Sequence, residues 1–290
     1  MVTVMKGREV ARAIQDTTKA EVERLTELGH QPRLVIIRVG DDKGSIGYQH
    51  AAEKLMGKLG IEVEVAEFDA DISMPAFENE FLAINDSENV DAILMLRPLP
   101  AQLNENRIQQ LIDPSKDIDG MSPINLGKSL DPNTTDFVPI TPAAVMQMMA
   151  YYDISLVGKR VTVVGNSLVV GRPLADMLMA REATVSVCNI DTPDNAEFTR
   201  NADIVIAAVG KVGLITGSMV KNGAIVIDVG TNYDETGHLT GDVMYDEVAA
   251  KVAFINPVTN GVGSITTSLL AKRVVQAARA NVVVTGMVER

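Results

Sequence analysis

The sequence has a single cysteine, no tryptophan and few aromatic residues, and it lacks any long apolar run. One cysteine, Cys188, excludes a disulfide framework within the chain and is typical of a reducing compartment. No stretch approaches the roughly 18 consecutive apolar residues of a membrane-spanning helix, and the first ten residues lack the apolar region of a signal peptide. We therefore expect a cytoplasmic, soluble protein. Aromatic residues make up 4% of the chain, which disfavours base-stacking and aromatic carbohydrate sites.

Positive charge is also scarce, with 26 Lys and Arg residues against 38 Asp and Glu and a net charge of −12. Such a surface repels phosphate groups, so we expect no binding to nucleic acid or to an anionic membrane. The excess of acidic residues is otherwise explained by solubility. The chain has 290 residues, 46% of them hydrophobic. At about 150 residues per domain, this is enough for two domains with their own cores.

The first hundred residues alternate between helical and strand patterns. Ser45 is a plausible cap for the second helix and Gly60 its end. Helices separated by strands predict a parallel sheet with right-handed crossovers. Residues 97–142 contain seven prolines, and we expect an ordered functional loop region beside a cleft rather than regular elements. The predicted helices are 8–28, 45–59 and 74–85, and the predicted strands are 34–37, 61–68 and 92–96.

The second half of the chain carries a nucleotide-binding pattern. Its strands, predicted at 161–164, 184–188, 204–209 and 224–229, are near-continuous apolar runs, typical of strands covered on both faces. Helices are predicted near 142–152, 172–180 and 267–280. The predicted fold class is α/β: an N-terminal three-layer α/β domain, residues 1–141, and a Rossmann-like, doubly wound dinucleotide-binding domain, residues 142–266. We expect the C-terminal helix, 267–290, to pack back on the first domain.

The turn after the first strand of this second domain carries Gly165, Asn166, Ser167 and Gly171. Glycine lets the backbone approach a pyrophosphate, and the following helix N-terminus offers N–H donors. The spacing is not the usual G-x-G-x-x-G, so a tight turn without a ligand would also explain it. Small residues at the ends of later strands, including Gly210, favour the ligand-binding interpretation.

Asp191 follows the second strand of this domain, 26 positions after Gly165. A carboxylate there accepts hydrogen bonds from the adenosine ribose and repels a 2′-phosphate; alternatively, it caps the next helix. No arginine occupies Asn166 or Ile190 to hold a phosphate, and Arg172 stands at the start of the helix. These residues favour NAD over NADP.

Eight segments resemble motifs of the methylenetetrahydrofolate dehydrogenase/cyclohydrolase family, over essentially the whole length of the chain. They are 39–42 with Ser45 and Tyr48, 97–100, 114–120, 139–142, 165–171, 228–232, 241–243 and 261–263.

The resemblance implies a homodimer that oxidises 5,10-methylenetetrahydrofolate with a nicotinamide cofactor and hydrolyses the methenyl product. It implies catalytic roles for Tyr48 and Asp119, which would bind the folate together with Pro98 and Gly261. No metal is implied. The cofactor-binding residues would be Gly165, Asn166, Ser167, Gly171, Asp191, Gly210, Thr231 and Thr266.

The chain departs from the family pattern at ligand-facing positions. The family has Tyr-x-x-x-Lys on the second helix, where this chain has Tyr48 and Ala52, and a glutamine where it has Leu96. In the family, this lysine–glutamine pair serves the hydrolysis. Hydride transfer mainly demands orientation, whereas hydrolysis demands a positioned acid/base group. We therefore predict an NAD-preferring dehydrogenase with cyclohydrolase activity lost or weakened.

Neighbouring residues offer few replacements for the lysine. Lys54 lies roughly 120° away around the helix and is expected to be a solvated surface residue, and His50 lies nearly opposite Tyr48. Arg97 adjoins Leu96, but strand alternation points it to the other face of the sheet unless the following prolines change the backbone. His30 and His238 lie in turn-like segments and are expected to be exposed.

Three alternatives stay open. The chain retains both activities through an unrecognised acid/base group such as Arg97; it is a non-catalytic paralogue that binds a nucleotide or folate; or it acts on another substrate. Changes in the late loop, at 259–260 and 264–265, keep the last two open.

Overall fold

The computed structural model describes residues 2–131, 133–134, 136–234 and 236–284, without the side chains of residues 283 and 284. The chain forms two compact units. The small-sheet unit contains Arg12–Leu126 and the residues from Thr267 onward, and the large-sheet unit contains the residues up to Ala11 and Gly127–Thr266. The division thus falls at 126/127, whereas the sequence prediction places it at 141/142. Residues 285–290 of the predicted C-terminal helix lie outside the described residues.

Strands and helices follow one another along the described chain in the following order. The strands are β1 (Thr3–Val4), β2 (Arg33–Val39), β3 (Glu62–Phe68), β4 (Ala92–Met95), β5 (Arg160–Val164), β6 (Thr184–Cys188), β7 (Ile204–Ala207), β8 (Ile225–Asp228), β9 (Asn232–Tyr233), β10 (Leu239–Thr240) and β11 (Phe254–Ile255). The helices are α1 (Gly7–Glu27), α2 (Lys43–Leu59), α3 (Met74–Asn85), α4 (Glu105–Leu111), α5 (Pro123–Gly127), α6 (Ile140–Tyr151), α7 (Gly171–Met179), α8 (Asn195–Thr199), α9 (Tyr245–Ala249) and α10 (Val262–Val284).

The small-sheet unit is built on a parallel three-stranded sheet of order β3-β2-β4, which confirms the predicted parallel arrangement. The central strand β2 is buried along its apolar run: Leu34 and Ile36 are fully buried, and Val35 and Ile37 belong to the same core cluster as Phe77 and Phe81 of α3. Helix α2 begins after Asp42, whose carboxylate accepts the N–H of Ser45 at 2.8 Å. Asp42, and not Ser45, is therefore the cap. Gly60 ends the helix at φ 85°, as predicted.

The C-terminal part of α10 packs within the small-sheet unit. Arg273 donates to the carbonyl oxygen of Ile118 at 2.7 Å, and Asn281 donates to the Asp91 carboxylate at 2.8 Å. The same carboxylate contacts Nε2 of His30 at 3.0 Å. The prediction that His30 is merely exposed is therefore wrong, because its ring is paired with a buried carboxylate 61 positions away.

The large-sheet unit contains a parallel six-stranded sheet of order β1-β11-β8-β7-β5-β6. Strand order reverses between β5 and β7, and ligands of doubly wound sheets bind at such a reversal. The edge strand β6 is only partly covered, with Val187 exposed, so the expectation of strands covered on both faces fails for β6. Strand β1, from the chain's start, joins this sheet although the sequence assigns it to the first domain.

The proline-rich region 97–142 is more regular than predicted. It contains α4, α5, a short 3-10 helix at Lys128–Leu130 and the start of α6. Pro123 begins α5 and Pro142 lies in the first turn of α6, where a missing N–H costs no hydrogen bond. Pro132 and Thr135 lie outside the described residues. In the part of the chain that the structure describes, no helix is long and apolar enough to cross a membrane.

Candidate active site

Three predicted site residues of the small-sheet unit follow the carboxyl ends of its strands. Strand β2 leads into α2, which carries Tyr48, and β4 leads into Pro98. Asp117 forms a parallel bridge with Ile93 of β4. Because the two segments run in the same direction, Asp119 comes near the level where β4 ends. Ligands of open α/β sheets bind at this edge.

Asp119 lies in an ion pair that sequence reasoning did not predict. Its Oδ2 lies 2.7 Å from Nη2 of Arg97, and Nη1 of Arg97 lies 3.5 Å from Oε1 of Glu105. The Asp119 and Arg97 side chains are 16% and 24% exposed. Burial raises the pKa of Asp119, and the charge of Arg97 opposes that rise. Arg97 lies beyond the end of β4 at Met95, so strand alternation does not decide the direction of its side chain, which reaches Asp119.

The turn that contains Asp119 is capped by Asp117. The fully buried Asp117 carboxylate accepts the backbone N–H groups of Gly120, Met121 and Ser122 at 2.7–3.0 Å. A buried carboxylate with three N–H donors satisfies a turn that water does not reach. These N–H groups therefore do not require the Asp119 carboxylate, which pairs with Arg97.

The positions of the family's lysine and glutamine are apolar and buried here. Ala52 is fully buried and Leu96 is 8% exposed. Tyr48 is half-buried one helical turn before Ala52, whereas His50 and Lys54 are exposed. An exposed Lys54 agrees with its expected surface role. The residues that replace the pair supply no group able to transfer a proton.

The glycine turn of the large-sheet unit has the geometry of a strand-to-helix turn. Gly165 has φ 127°, and a Cβ there would overlap the carbonyl oxygen of Ala208. A Cβ at Gly171 would overlap the carbonyl oxygen of Gly165, so backbone packing alone requires both glycines. Asn166 and Ser167 between them are exposed. The turn therefore presents polar groups at the N-terminus of α7, as a pyrophosphate site requires.

Two charged residues flank this turn. Arg172 donates from Nε to the carbonyl oxygen of Asn166 at 3.0 Å, which holds its guanidinium beside the turn. Asp191 is exposed after β6. The cap of α8 is Asp194, which accepts the N–H of Ala196 at 2.9 Å, so Asp191 is not a helix cap. Its carboxylate is available to a ribose.

Two buried aspartates, which sequence reasoning did not single out, organise the loops after β7 and β8. Asp242 accepts the backbone N–H groups of Val209, Gly210 and Lys211 at 2.7–3.0 Å. Asp228 accepts those of Gly230, Asp242 and Val243 at 2.9–3.1 Å. The motifs containing these aspartates were visible in the sequence, but not the hydrogen bonds that link them.

The remaining predicted contacts lie elsewhere in this unit, Thr231 and Gly261 in loops and Thr266 near the start of α10. Thr231 is exposed. A Cβ at the buried Gly261 would overlap the carbonyl oxygen of Pro257, and Oγ1 of Thr266 donates to the carbonyl oxygen of Gly263 at 2.8 Å. The roles of these three residues stay predictions. Among the described residues, no group of three or more His, Cys, Asp or Glu is placed to hold a metal ion.

Comparison with known proteins identifies the family. Residues 5–119 match the catalytic domain of tetrahydrofolate dehydrogenase/cyclohydrolase, and residues 139–282 match its NAD(P)-binding domain. The chain belongs to this family. The bifunctional protein FolD of Alkaliphilus metalliredigens is 44% identical over 276 residues, which cover 95% of this chain and 97% of that protein.

Solved structures agree with this assignment. The bifunctional methylenetetrahydrofolate dehydrogenase/cyclohydrolase FolD of Campylobacter jejuni has a TM-score of 0.94 at 36% identity, covering 97% of this chain and 99% of that one. The Trypanosoma brucei enzyme, complexed with NADP and an inhibitor, has a TM-score of 0.92 at 35% identity, covering 97% and 98%. The two-domain α/β fold with a nicotinamide-dinucleotide-binding domain is thereby confirmed. The homodimer and the cytoplasmic location stay predictions.

The buried carboxylate of Asp228 makes the stability of the large-sheet unit depend on pH. Burial raises its pKa to about 6, against the effect of its three N–H donors. A carboxyl group whose pKa is higher in the folded state than the unfolded value of about 4 stabilises the fold at low pH. That contribution, about 3 kcal/mol for a difference of about 2 pH units, is lost as pH rises from about 4 through 6.

We therefore expect the unfolding free energy of the wild type, relative to Asp228→Asn, to fall by about 2 kcal/mol between pH 4 and 7 in urea titrations. Asp203→Asn is the matched control, because the hydrogen bond from Lys221 lowers the pKa of Asp203. The unfolding free energy of the wild type relative to Asp203→Asn should change in the opposite direction and rise with pH at the acid end. Parallel pH curves for wild type and Asp228→Asn would contradict the assignment.

Proposed function

We propose that this chain oxidises 5,10-methylenetetrahydrofolate to 5,10-methenyltetrahydrofolate with a nicotinamide cofactor. The observation that carries the proposal is the largely buried carboxylate of Asp119 at the carboxyl edge of the small sheet, within the segment that matches the family's catalytic domain. A carboxylate is the acceptor that the N–H groups of a pterin ring require. The names of the similar proteins, given above, support the same substrate.

The proposed chemistry asks the protein for orientation and charge. As the hydride leaves the bridging carbon, positive charge develops on that carbon and is shared by the two flanking nitrogens. Asp119 would bind the pterin and fix its orientation, while the half-buried Tyr48 and the neighbouring Pro98 would limit its movement. Gly261 stays a predicted folate contact. When bound, the nicotinamide ring supplies the hydride acceptor.

The residues of the large-sheet unit fit a dinucleotide. Asn166 and Ser167 are exposed at the N-terminus of α7, where N–H groups and the helix dipole favour a pyrophosphate. The exposed Asp191 would accept the ribose hydroxyls. Gly210 is fixed by Asp242 at the end of β7, on the far side of the strand-order reversal from β6. Thr231 and Thr266 complete the proposed cofactor set.

The purified chain should reduce NAD or NADP when methylenetetrahydrofolate is supplied, and Asp119→Ala should lower kcat/KM at least about tenfold. The reason is the loss of a charged hydrogen bond and of pterin orientation. Cofactor affinity, measured by calorimetry, should be unchanged. Asp71→Ala, which removes an exposed carboxylate of the same unit, is the matched control. Full activity in Asp119→Ala would exclude the proposed folate contact.

Whether the chain also hydrolyses the methenyl product is the second part of the proposal. The relatives named bifunctional, at 36–44% identity, favour retention of both activities. The local chemistry favours weak hydrolysis, since Ala52 and Leu96 provide no acid or base. Burial lowers the pKa of Arg97, but Asp119 and Glu105 together raise it above its ordinary value. Arg97 therefore stays protonated and is unsuited to accept a proton from water.

We propose that hydrolysis is slow relative to hydride transfer and that the residues at positions 52 and 96 limit it. The double variant Ala52→Lys, Leu96→Gln should accelerate decay of supplied methenyltetrahydrofolate at least about tenfold, since general acid–base assistance is typically worth 10²–10⁴-fold. Ala52→Lys alone should do less, because burial of position 52 disfavours the charged amine unless a partner holds it.

Ala51→Lys is the control for the added charge, because Ala51 immediately precedes Ala52 on α2 and is exposed. It should leave the decay rate unchanged. Wild-type hydrolysis as fast as hydride transfer would instead establish the bifunctional alternative, with the proton handled by another group. An inactive double variant that still binds folate would show that positions 52 and 96 do not limit hydrolysis.

We propose that NAD is preferred over NADP, which the solved relative bound to NADP does not support. The support comes from the exposed carboxylate of Asp191 and the apolar, exposed Ile190 after β6. Arg172, whose Nε donates to the carbonyl oxygen of Asn166, is the cation beside the turn and would account for the NADP binding that remains.

Calorimetry should show that NAD binds at least about tenfold more tightly than NADP. The 2′-phosphate of NADP lacks one charge-assisted contact, which is worth roughly 1.5–3 kcal/mol. Asp191→Ser should raise the NADP affinity, because it removes the repulsion of the 2′-phosphate. Arg172→Gln should weaken NADP binding and leave NAD binding unchanged. Equal or tighter binding of NADP by the wild type would refute the preference.

A further inference from the structure

Arg97 joins two carboxylates that come from different segments of the small-sheet unit. Its Nη2 lies 2.7 Å from Oδ2 of Asp119, and its Nη1 lies 3.5 Å from Oε1 of Glu105, the first residue of α4. Gln109, one turn along α4, donates to the same Glu105 oxygen at 2.9 Å. The result is a continuous polar chain from Gln109 through Glu105 and Arg97 to Asp119.

This ion pair differs from the unit's other arginine–carboxylate pairs in its burial. The Asp119 side chain is 16% exposed and Arg97 24%, against 23% and 49% for Glu78 and Arg107 in a comparable pair of the same unit. Ion pairs exposed to water contribute little to stability, whereas removing one member of a buried pair leaves an uncompensated charge. Removing Arg97 should therefore affect the Asp119 carboxylate more than removing Arg107 affects Glu78.

We propose that Arg97 is a positioning residue of the folate site, which holds the Asp119 carboxylate in the orientation that the pterin contact requires. This inference rests on the proposed folate contact of Asp119. Arg97 uses Oδ2 of Asp119, so Oδ1 is the oxygen assigned to the pterin N–H. Glu105, braced by Gln109, fixes the guanidinium in turn.

The charges around Asp119 explain why it needs such a partner. Burial and the negative charge of Asp117 raise the pKa of Asp119, while the positive charges of Arg97 and of Arg273 on α10 oppose the rise. Arg273 also donates to the carbonyl oxygen of Ile118, so it is anchored to the backbone. Without Arg97, more of the Asp119 population is protonated, and a protonated carboxyl loses acceptor strength toward a pterin N–H.

The choice of arginine also separates positioning from proton transfer. A guanidinium remains charged at any pH in the working range and has its donors in a fixed plane. It therefore supplies constant charge and direction but no proton. Lysine at this position would keep the charge and lose the planar geometry, so Arg97→Lys should restore part of what Arg97→Gln loses.

The test compares Arg97→Gln, Arg97→Lys and the matched control Arg107→Gln, which breaks the Glu78 pair in the same unit. The first readout is the titration of the Asp119 carboxyl carbon by NMR in the full-length protein without folate. In Arg97→Gln its midpoint should move to higher pH, in Arg97→Lys it should move less, and in Arg107→Gln it should stay unchanged. An unmoved midpoint in Arg97→Gln overturns the proposal whatever the substrate is.

The second readout is steady-state kinetics with methylenetetrahydrofolate over a range of pH. Arg97→Gln should raise KM about tenfold or more with a smaller change in kcat, and the acid limb of kcat/KM should move to higher pH. Glu105→Gln should produce a smaller change in the same direction. A moved NMR midpoint with unchanged KM overturns the positioning role if Asp119→Ala is impaired. If Asp119→Ala is fully active as well, the proposed function fails instead.

Discussion

Buried aspartates that accept backbone N–H groups hold the loops on which the candidate site depends. Asp117 in the small-sheet unit, and Asp228 and Asp242 in the large-sheet unit, each accept three such groups. Loops that follow parallel strands have no ladder to satisfy their N–H groups, and a buried unsatisfied donor is costly. A single buried carboxylate provides the acceptor for three such N–H groups. The predicted ligand contacts, such as Gly210 and Asp119, lie within or beside the loops that these aspartates hold.

Most of the fold could be predicted because its signals are local. The apolar runs of β2 and β6 and the helical period of α3 are complete within a few residues, and the structure has β6 and α3 at the predicted bounds. Strand β1 could not be predicted, since two residues carry no period and its pairing with β11 joins positions about 250 residues apart. Helices α4 and α5 were obscured by flanking prolines, which end elements in some positions and begin them in others.

The sequence could name candidate site residues but not the direction of their side chains. Alternation along β4 would point Arg97 away from the face of Leu96, but β4 ends at Met95. Beyond Met95 the strand no longer sets the direction of side chains, and the Arg97 guanidinium lies between the carboxylates of Asp119 and Glu105. His30 shows the same limit, since Asp91 is far along the chain and nothing near His30 indicates a partner. Ion pairs between loops depend on tertiary structure, and no periodic pattern in a single sequence indicates them.

The exchange of residues at this edge of the sheet has a chemical consequence of its own. Where the family has a lysine, whose pKa shifts readily on burial, this chain has Ala52, and it has an arginine nearby, whose charge is fixed. At the lysine position a group that can transfer a proton is thus absent, and nearby a group that holds a fixed charge is present. Hydride transfer needs orientation and charge, and in the proposed function Arg97 with Asp119 would supply both. Hydrolysis needs a proton acceptor. Within this cluster only the carboxylates of Asp119 and Glu105 can serve, and both are paired with Arg97. A bifunctional form of this site would therefore have to take the proton on a carboxylate that already holds Arg97, and if that carboxylate were Asp119, hydrolysis would compete with the pterin contact proposed for it.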